Sequence, residues 1–416
     1  MKKLGLSVLA ATLLMSGAAI AAEKQIVNYW SRKGGPDHLV VQEMVKEFNR
    51  IQSEIEVKVQ FMTWGGAYYG KVRSSILAGK PPQIFDVAAY APPMFRDYVE
   101  SFTEDELAKM GIKVSDYVQS AWDVAKYKGR YYGTVYGILP LGLYYNKDMF
   151  EAAGLDPNKP PTNLDEFLSY AKKLTKDTDG DGKVDQWGFM LRNAMNSTPW
   201  EWESILVQSG GSLLNADMTK AAFNTKAGRD ALNLMLDFSR KHKIAPPTLA
   251  DAWKAFATKK VAMIFSGPWL IPGFKEKVRF GTAPMPQFGS VRPAAWSSLD
   301  MYFFPKGWRK DTKKWEATMN YASWVAGDEG MKFYAKMFVP TRLKELKSPI
   351  VTENPYMAGF AKEVEAGAIY FAPAHKDMQE IYGIVWNNLQ GAFAGKMSAE
   401  EALSKAEEQV NRILAR

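Results

Sequence analysis

One acidic loop places oxygen ligands at the spacing of a twelve-residue calcium loop. In KDTDGDGKVDQWGF, which begins at residue 176, positions 1, 3, 5, 7 and 9 are Asp177, Asp179, Asp181, the Lys183 carbonyl and Asp185. Gly182 stands at position 6, where such loops bend sharply. Position 12, which normally supplies a bidentate glutamate, is Gly188, and the following QWGFML predicts a strand instead of a second helix. We therefore expect no calcium sensor: the loop is either a structural calcium site or an ion-free cluster of Asx turns.

Motifs of the common hydrolases and nucleotide-binding enzymes are absent from the sequence. It contains no G-x-S-x-G, no H-E-x-x-H, no P-loop and no cysteine. The three histidines are scattered without metal-ligand spacing, at His38, His242 and His375. A glycosidase needs two carboxyl groups about 5 to 9.5 Å apart on either side of the scissile bond. Glu201, Glu203 and Asp300 are candidates for such a pair only by their positions in the sequence. We expect that the protein is not an enzyme and needs no cofactor, and keep glycoside hydrolysis as the weaker alternative.

Aromatic side chains offer a different chemistry, because they make up 13% of the chain and include 13 Trp. A sugar ring has apolar C–H faces and a rim of hydroxyl groups. A site for it combines flat aromatic surfaces with a few planar polar side chains. The positions of the aromatic residues along the chain therefore decide whether they suggest a ligand site.

The first ninety residues predict the elements that would position such a site. QIVNYW (25–30), EVKVQF (56–61) and IFDVAAY (84–90) are predicted strands, and an amphipathic helix separates each pair. This order is the start of a parallel, doubly wound α/β sheet. Ligands bind beyond the carboxyl ends of the strands in such sheets. We therefore expect Trp30, Trp64 and Tyr90, which stand at those ends, to face a ligand.

The amino terminus predicts export. MKKLGLSVLAATLLMSGAAIAAEK has two lysines, a short apolar run and an A-x-A site, so residues 1–21 are expected to be a signal peptide cleaved after about Ala21 or Ala22. Without Lys2 and Lys3, 51 basic residues face 45 acidic ones, a net charge of +6. These charges are dispersed, which argues against nucleic-acid binding. With no cysteine for a lipid anchor, we expect a soluble, monomeric protein of a Gram-negative periplasm.

Five segments, taken in order, resemble one protein family. They are YYNKDMFEAAGLDP with PTNLDEF, the acidic loop before QWGF, KKVAMIFSGPWL (259–270), FGTAPMPQFG (280–289), and WVAGDEGMKFYAKMFVPTRLKEL (324–346). In this order they resemble the extracellular solute-binding proteins of ABC sugar importers, the maltose-binding-protein-like family 1. The resemblance covers essentially the whole mature chain.

The resemblance implies a type II periplasmic binding protein fold: two α/β lobes, each a doubly wound and mostly parallel sheet, joined by a hinge that the chain crosses about three times. It implies crossings near 138–140, 293–296 and 336–339. The N-lobe would comprise 23–138 plus 294–337, and the C-lobe 139–293 plus 338–416. The lobes would close on the ligand and present a composite surface to the permease subunits of the importer.

The resemblance and the strand ends together give a set of expected ligand-binding residues. These are Trp30, Trp64, Asp86, Tyr90, Trp200, Trp269, Trp296, Asp300, Arg342 and Trp386. Trp200 and Trp202 cannot share one helical face, and Trp200, nearer the loop, is assigned to the cleft. Related sequences often have two glycines where Trp296 stands, so its bulk implies a smaller pocket.

The expected ligand is a mono- or oligosaccharide, and one other solute class stays open. A phosphorylated polyol, a compatible solute or a peptide would suit the turn SRKGGPD, where Arg32 and Lys33 precede a predicted helix. An anion would bind at such a helix start. If Arg32 and Lys33 point away from the cleft, this alternative weakens.

Overall fold

The computed structural model describes residues 23–416. The expected signal peptide, residues 1–21, lies outside the described residues. Between residues 23 and 416, no helix is both long enough and apolar enough to cross a bilayer.

Thirteen strands are present in the described part of the chain. In chain order they are β1 (Gln25–Ser31), β2 (Ile55–Phe61), β3 (Ile84–Val87), β4 (Lys126–Tyr127), β5 (Arg130–Tyr131), β6 (Thr134–Pro140), β7 (Gly142–Asn146), β8 (Trp187–Phe189), β9 (Val261–Ser266), β10 (Phe280–Pro284), β11 (Ala295–Phe303), β12 (Val339–Pro340) and β13 (Ile369–Phe371).

Eighteen α-helices accompany these strands within residues 23–416. They are α1 (His38–Ile51), α2 (Gly66–Leu77), α3 (Pro92–Phe95), α4 (Glu104–Lys109), α5 (Gln119–Ala125), α6 (Lys147–Ala152), α7 (Leu164–Leu174), α8 (Thr198–Gln208), α9 (Lys226–Arg240), α10 (Ala252–Ala257), α11 (Ile271–Phe274), α12 (Thr312–Ala326), α13 (Asp328–Ala335), α14 (Leu343–Leu346), α15 (Pro349–Thr352), α16 (Ala358–Glu365), α17 (Met378–Phe393) and α18 (Ala399–Leu414).

Local sequence explains where the helices begin and which face they bury. α1 buries Val41, Met44, Val45 and Phe48 on one face, as its apolar spacing predicts. α7 begins at an asparagine cap: the Asn163 side chain accepts a hydrogen bond from the third backbone N–H of the helix. These contacts fix each helix against a sheet.

Two mixed sheets form the two lobes. The larger has the order β12-β6-β11-β3-β1-β2, with β13 paired to β11, and the smaller has the order β10-β7-β9-β8. β1 pairs in parallel with β2 and β3, and β8 with β9, as expected for βαβ units. β6, β11 and β12 pair antiparallel with their neighbours β11, β3 and β6, as do β7 with β9 and β10 with β7. The two-lobe α/β prediction is confirmed, whereas the pairing is mixed because strands that pass between the sheets run against the βαβ strands.

The chain passes between the two sheets several times. β6 belongs to the larger sheet through Pro140, which pairs with Ser297, and β7 begins in the smaller sheet at Gly142. The chain returns between β10 and β11, since β10 pairs with β7 and β11 with β6. After β12 it leaves again, because α16 packs against β10. The assignment of individual residue ranges to the N-lobe and C-lobe stays a prediction.

Candidate ligand-binding cleft

A cavity of about 300 Å³ lies where the two sheets face each other. The loops that follow β1, β2 and β3 contribute one wall, through Arg32, Trp64 and Tyr90. These are the carboxyl ends of the parallel strands, where ligands bind in α/β sheets. The opposite wall comes from Asn196, Trp200, Trp253 and Trp269, and the floor from Leu139, Trp296 and Ser298.

Four indole rings build the centre of this cavity. Trp200 on α8 stacks on Trp296 at the start of β11, with ring centroids 3.9 Å apart and planes 6° from parallel. Trp64 and Trp269 stand nearly at right angles to Trp200, at 83° and 76°, with centroids 6.0 and 6.2 Å away. We call this arrangement, two rings nearly at right angles to a stacked pair, the indole box. Such a box suits one compact, flat-faced group better than an extended chain.

Trp253 and Asn196 also line the cavity, and sequence reasoning did not assign them. Arg192 holds both: its guanidinium lies 3.4 Å from the Trp253 ring centroid, and its Nη1 donates to Asn196 Oδ1 at 3.0 Å. Trp253 stands in the first turn of α10, amid WKAFA, a sequence with no feature that marks a binding residue. Asn196 supplies one of the few amides that could bond a hydroxyl group.

A buried ion network holds Arg32 at the rim of the cavity. Its Nη2 donates to Asp300 Oδ1 at 2.7 Å and its backbone N–H to Asp86 Oδ1 at 2.8 Å. Lys33 is buried and pairs with Asp300 Oδ2 at 2.8 Å, which turns its ammonium away from the cavity. Burial raises the pKa of the Asp86 carboxyl, against the opposing effect of Arg32. Asp86 and Asp300 are fully buried and therefore orient Arg32 without lining the cavity themselves.

The structure brings five of the ten expected site residues to the cavity wall, namely Trp64, Tyr90, Trp200, Trp269 and Trp296. Asp86 and Asp300 lie just behind it in the Arg32 network. The remaining three, described below, do not line the cavity in this conformation.

Trp30, Arg342 and Trp386 have other surroundings. Trp30 lies within β1, half-buried beneath the Lys71 ammonium at 5.0 Å. Arg342 pairs with Asp328 and lies 3.8 Å from Asp116, so its charge belongs to an ion cluster outside the cavity lining. Trp386 is half-buried on α17, away from the walls of the cavity. Any contact of these three with a ligand stays a prediction.

The two walls touch directly at two points beside the cavity. Gln379 on α17 donates from Nε2 to the hydroxyl of Tyr90 at 2.9 Å. Trp64, after β2, meets Trp200 of α8 edge to face. By the predicted lobe ranges, Tyr90 and Trp64 belong to the N-lobe and Gln379 and Trp200 to the C-lobe, so each contact would join the two lobes. In this structure the two walls therefore meet beside the cavity.

The carboxyl groups considered for hydrolysis are not placed for it. Glu201 and Glu203 are buried within α8 and do not line the cavity. Glu201 Oε1 accepts from the Ser197 hydroxyl at 3.0 Å, and burial raises its pKa to about 8. Asp300 is paired with Arg32 and Lys33. A glycosidase needs two carboxyl groups that both reach the scissile bond.

The acidic loop is a network of Asx turns. Asp177 accepts from the backbone N–H groups of Gly180 and Gly182, and Asp185 Oδ2 accepts from Thr178. Carboxylate oxygens of Asp177, Asp179 and Asp185 lie within 4.8 Å of one another. Asp181 bonds instead to the Lys183 backbone N–H and points its second oxygen to the Lys183 ammonium at 3.3 Å. Calcium binding by the five predicted positions stays a prediction.

Comparison with known proteins identifies relatives across the whole chain. Residues 43–359 match the family described as bacterial extracellular solute-binding protein. A binding protein of Brucella abortus (strain 2308) is 24% identical over 99% of this chain and 97% of its own length. The sn-glycerol-3-phosphate-binding periplasmic protein UgpB of the same organism is 30% identical over 40% of each chain. The ABC substrate-binding protein Lmo0181 of Listeria monocytogenes, solved in complex with cycloalternan, superimposes with a TM-score of 0.78 at 23% identity, covering 94% of this chain and 100% of its own.

Proposed function

The chain belongs to the family of bacterial extracellular solute-binding proteins, and on that basis we propose that it captures a carbohydrate of one or two rings in the indole-lined cavity and delivers it to an ABC importer. It acts in the periplasm after loss of residues 1–21, as a monomer that binds no nucleic acid. Its membrane partners are the permease subunits of that importer.

The observation that carries this proposal is the right-angled arrangement of indole faces around the cavity. Trp269 and Trp64 each stand nearly at right angles to Trp200, and Trp296 stacks flat against Trp200. Asn196 and Ser298 stand at the edges of these surfaces, where the hydroxyl groups of a ring project. Apolar C–H faces and a polar rim occur together in sugars.

The volume of the cavity argues for a short ligand. At about 300 Å³ it lies at the lower end of the usual range for ligand pockets, about 300 to 1,000 Å³. Trp296 occupies the floor and brings Trp200 with it at 3.9 Å, so the stacked pair fills space that a longer oligosaccharide would need. The resulting proposal is a mono- or disaccharide.

A second candidate, a phosphorylated polyol, has one observation in its favour. Arg32 lines the cavity with its Nε free of hydrogen bonds and 3.8 Å from Asp86 Oδ1, and the turn Gly34 to Asp37 before α1 lines it too. The partial similarity to a glycerol-3-phosphate-binding protein points the same way. Against it, Arg32 is neutralised by Asp300, Lys33 is turned away, and Asp37 adds a carboxylate to the cavity. The indole box therefore favours the carbohydrate.

A thermal-shift screen on the mature chain tests the proposal. The panel holds mono-, di- and longer saccharides, glycerol 3-phosphate and glycine betaine. A ligand at a hundred times its dissociation constant stabilises the protein by about 2.7 kcal/mol. We expect a mono- or disaccharide to raise the melting temperature. The proposal fails if glycerol 3-phosphate or betaine does so and no sugar does.

Two tryptophan variants connect the screen to the cavity. Trp269 is half-buried and lines the cavity, whereas Trp308 is also half-buried but bonds the Pro82 carbonyl and does not line the cavity. Removing an aromatic platform should abolish most of the stacking free energy, so W269A should lose binding by calorimetry. W308A is the matched control and should bind as the unaltered protein does. Equal binding by both variants would place the ligand elsewhere.

A further inference from the structure

We propose that Glu203, a buried carboxyl group that does not touch the cavity, is the positioning residue that fixes the orientation of Trp296 and, through it, the indole box. Ligand affinity then depends on a side chain that the ligand never meets. This inference rests on the proposed function, because it assigns a control element to the same binding site.

A directed chain of hydrogen bonds joins Glu203 to the floor of the cavity. Trp296 Nε1 donates to the Tyr382 hydroxyl at 2.9 Å, and that hydroxyl donates to Glu203 Oε2 at 2.7 Å. An indole N–H can only donate, so the Tyr382 oxygen must accept from it and use its own proton for Glu203. The indole N–H therefore sets the direction of these hydrogen bonds, and Glu203 is the acceptor at their end.

The hydrogen-bond chain from Glu203 affects Trp200 as well as Trp296. The two rings lie 3.9 Å apart and parallel within 6°, so one cannot tilt without the other. Ser204 ties their backbones: its Oγ accepts from the Trp296 backbone N–H at 2.8 Å and donates to the Trp200 carbonyl at 2.7 Å. Trp200 Nε1 is buried without a partner, which leaves stacking and packing to hold that ring. Moving Trp296 therefore moves the wall that Trp200 forms.

The burial of Glu203 costs folding free energy, so stability of the fold does not explain its presence. It is fully buried, and its Oε1 has no partner at hydrogen-bond distance, although the Tyr370 hydroxyl faces the carboxyl group. Unsatisfied buried carboxyl groups are rare because their desolvation is costly. The charged and titratable groups that face it are the hydroxyls of Tyr382 on α17 and Tyr370 on β13, while Arg292 faces Tyr370 from beyond. On its own helix, Glu201 turns to Ser197 instead. No cation pairs with Glu203 within the described residues.

The strength of the chain depends on the charge of Glu203. Burial raises its pKa to about 7, against the opposing effect of the two tyrosine hydroxyls. The ionised carboxylate accepts a charge-assisted hydrogen bond from Tyr382, whereas the protonated group accepts a weaker neutral one. The box is therefore held more tightly above about pH 7 than below it, and affinity should rise with pH across that value.

The test compares E203Q with the unaltered protein on either side of the titration of Glu203. Calorimetry with the sugar found in the screen should show affinity rising about fivefold from below to above the pKa of Glu203, as expected for exchanging a neutral for a charge-assisted hydrogen bond. E203Q keeps the shape and a neutral acceptor, so it should bind with the weaker affinity at both pH values. Y382F breaks the middle of the chain without changing any charge and should behave like E203Q. Far-UV circular dichroism checks that both variants are folded.

A matched control separates this effect from buried carboxyl groups in general. Glu363 on α16 is buried, accepts from the Met285 backbone N–H at 2.7 Å and has a pKa raised by burial to about 8, but lies outside the cavity. E363Q should keep both the affinity and its dependence on pH. If E203Q and Y382F keep them too, the positioning role is refuted.

A readout without ligand keeps this inference distinct from the proposed function. The stacked indoles give near-UV circular dichroism that should change as Glu203 titrates in the unaltered protein and stay constant in E203Q. This expectation holds whichever solute binds. A spectrum that does not change with pH, or that changes equally in E203Q, refutes the inference even where the sugar binds as proposed.

Discussion

The hydrogen bond between Gln379 and Tyr90 should stabilise the closed arrangement of the lobes. Gln379 Nε2 and the Tyr90 hydroxyl lie 2.9 Å apart across the two lobes. Y90F removes the acceptor and keeps the buried ring, and Q379A removes the donor. Because the bond exists only when the lobes meet, its loss destabilises the closed state and leaves the open state unchanged.

The expected magnitude follows from the chemistry of the bond. A neutral intramolecular hydrogen bond contributes about 0.5 to 1.5 kcal/mol net. At about 1 kcal/mol, the closing equilibrium shifts about fivefold towards the open state, and ligand affinity falls by about the same factor. Y90F and Q379A should each show this loss. The double variant should show no more than either one, which gives a coupling free energy of about 1 kcal/mol.

Calorimetry on the four proteins measures the coupling directly. Small-angle scattering of the ligand-free proteins should show a larger radius of gyration for each variant. Q390A is the control, since Gln390 lies on the same helix but bonds Asn193 within one lobe. Its affinity should be unchanged. Losses that simply add in the double variant, with a coupling near zero, would show that the bond does not hold the lobes together and would refute this reasoning.

Three further predictions concern sites outside the cavity. Burial raises the folded-state pKa of Glu363 to about 8 from 4.5, so the folded protein should lose stability as pH rises between these values, by at most about 5 kcal/mol. Urea unfolding of E363Q should show that much less pH dependence, and parallel curves would contradict the assignment. G188A should lower the melting temperature by the equivalent of about 1 to 3 kcal/mol, because a Cβ there would lie 2.0 Å from the Ala171 carbonyl oxygen. Calcium added to chelator-treated protein should raise the melting temperature if the acidic loop binds it, and D179N should remove that shift; no shift in the unaltered protein identifies an ion-free loop.

The sequence predicts the cavity wall where a simple rule applies. Trp64 and Tyr90 follow β2 and β3, and both reach the cavity because loops at the carboxyl ends of parallel strands share one edge. Trp30, chosen by the same rule, does not line the cavity in this structure, and the reason is geometric. β1 continues to Ser31, so Trp30 lies inside the strand, and alternation of side chains turns it to the other face. An error of one residue in a strand boundary therefore changes which face of the sheet a side chain is expected to occupy.

Other parts of the site depend on contacts that no local pattern reports. Trp253 reaches the cavity because Arg192, sixty-one positions earlier, packs on its ring. Gln379 meets Tyr90 from 289 positions away. Arg342 forms an ion pair with Asp328, the first residue of α13. Asp328 comes close to Arg342 only when α13 packs beside it in the folded chain. Such pairings depend on how the lobes assemble.

The repeated passage of the chain between the two sheets limits how the lobes move. Three covalent connections join the two sheets, after β6, after β10 and after β12. Together they resist twisting and sliding of one lobe against the other, so bending is the easiest relative motion of the lobes. Two separate proteins that closed on a sugar would give up about 4 to 15 kcal/mol of rigid-body entropy. Here most of that loss is already incurred on folding, so a few modest contacts across the gap suffice to trap a small solute.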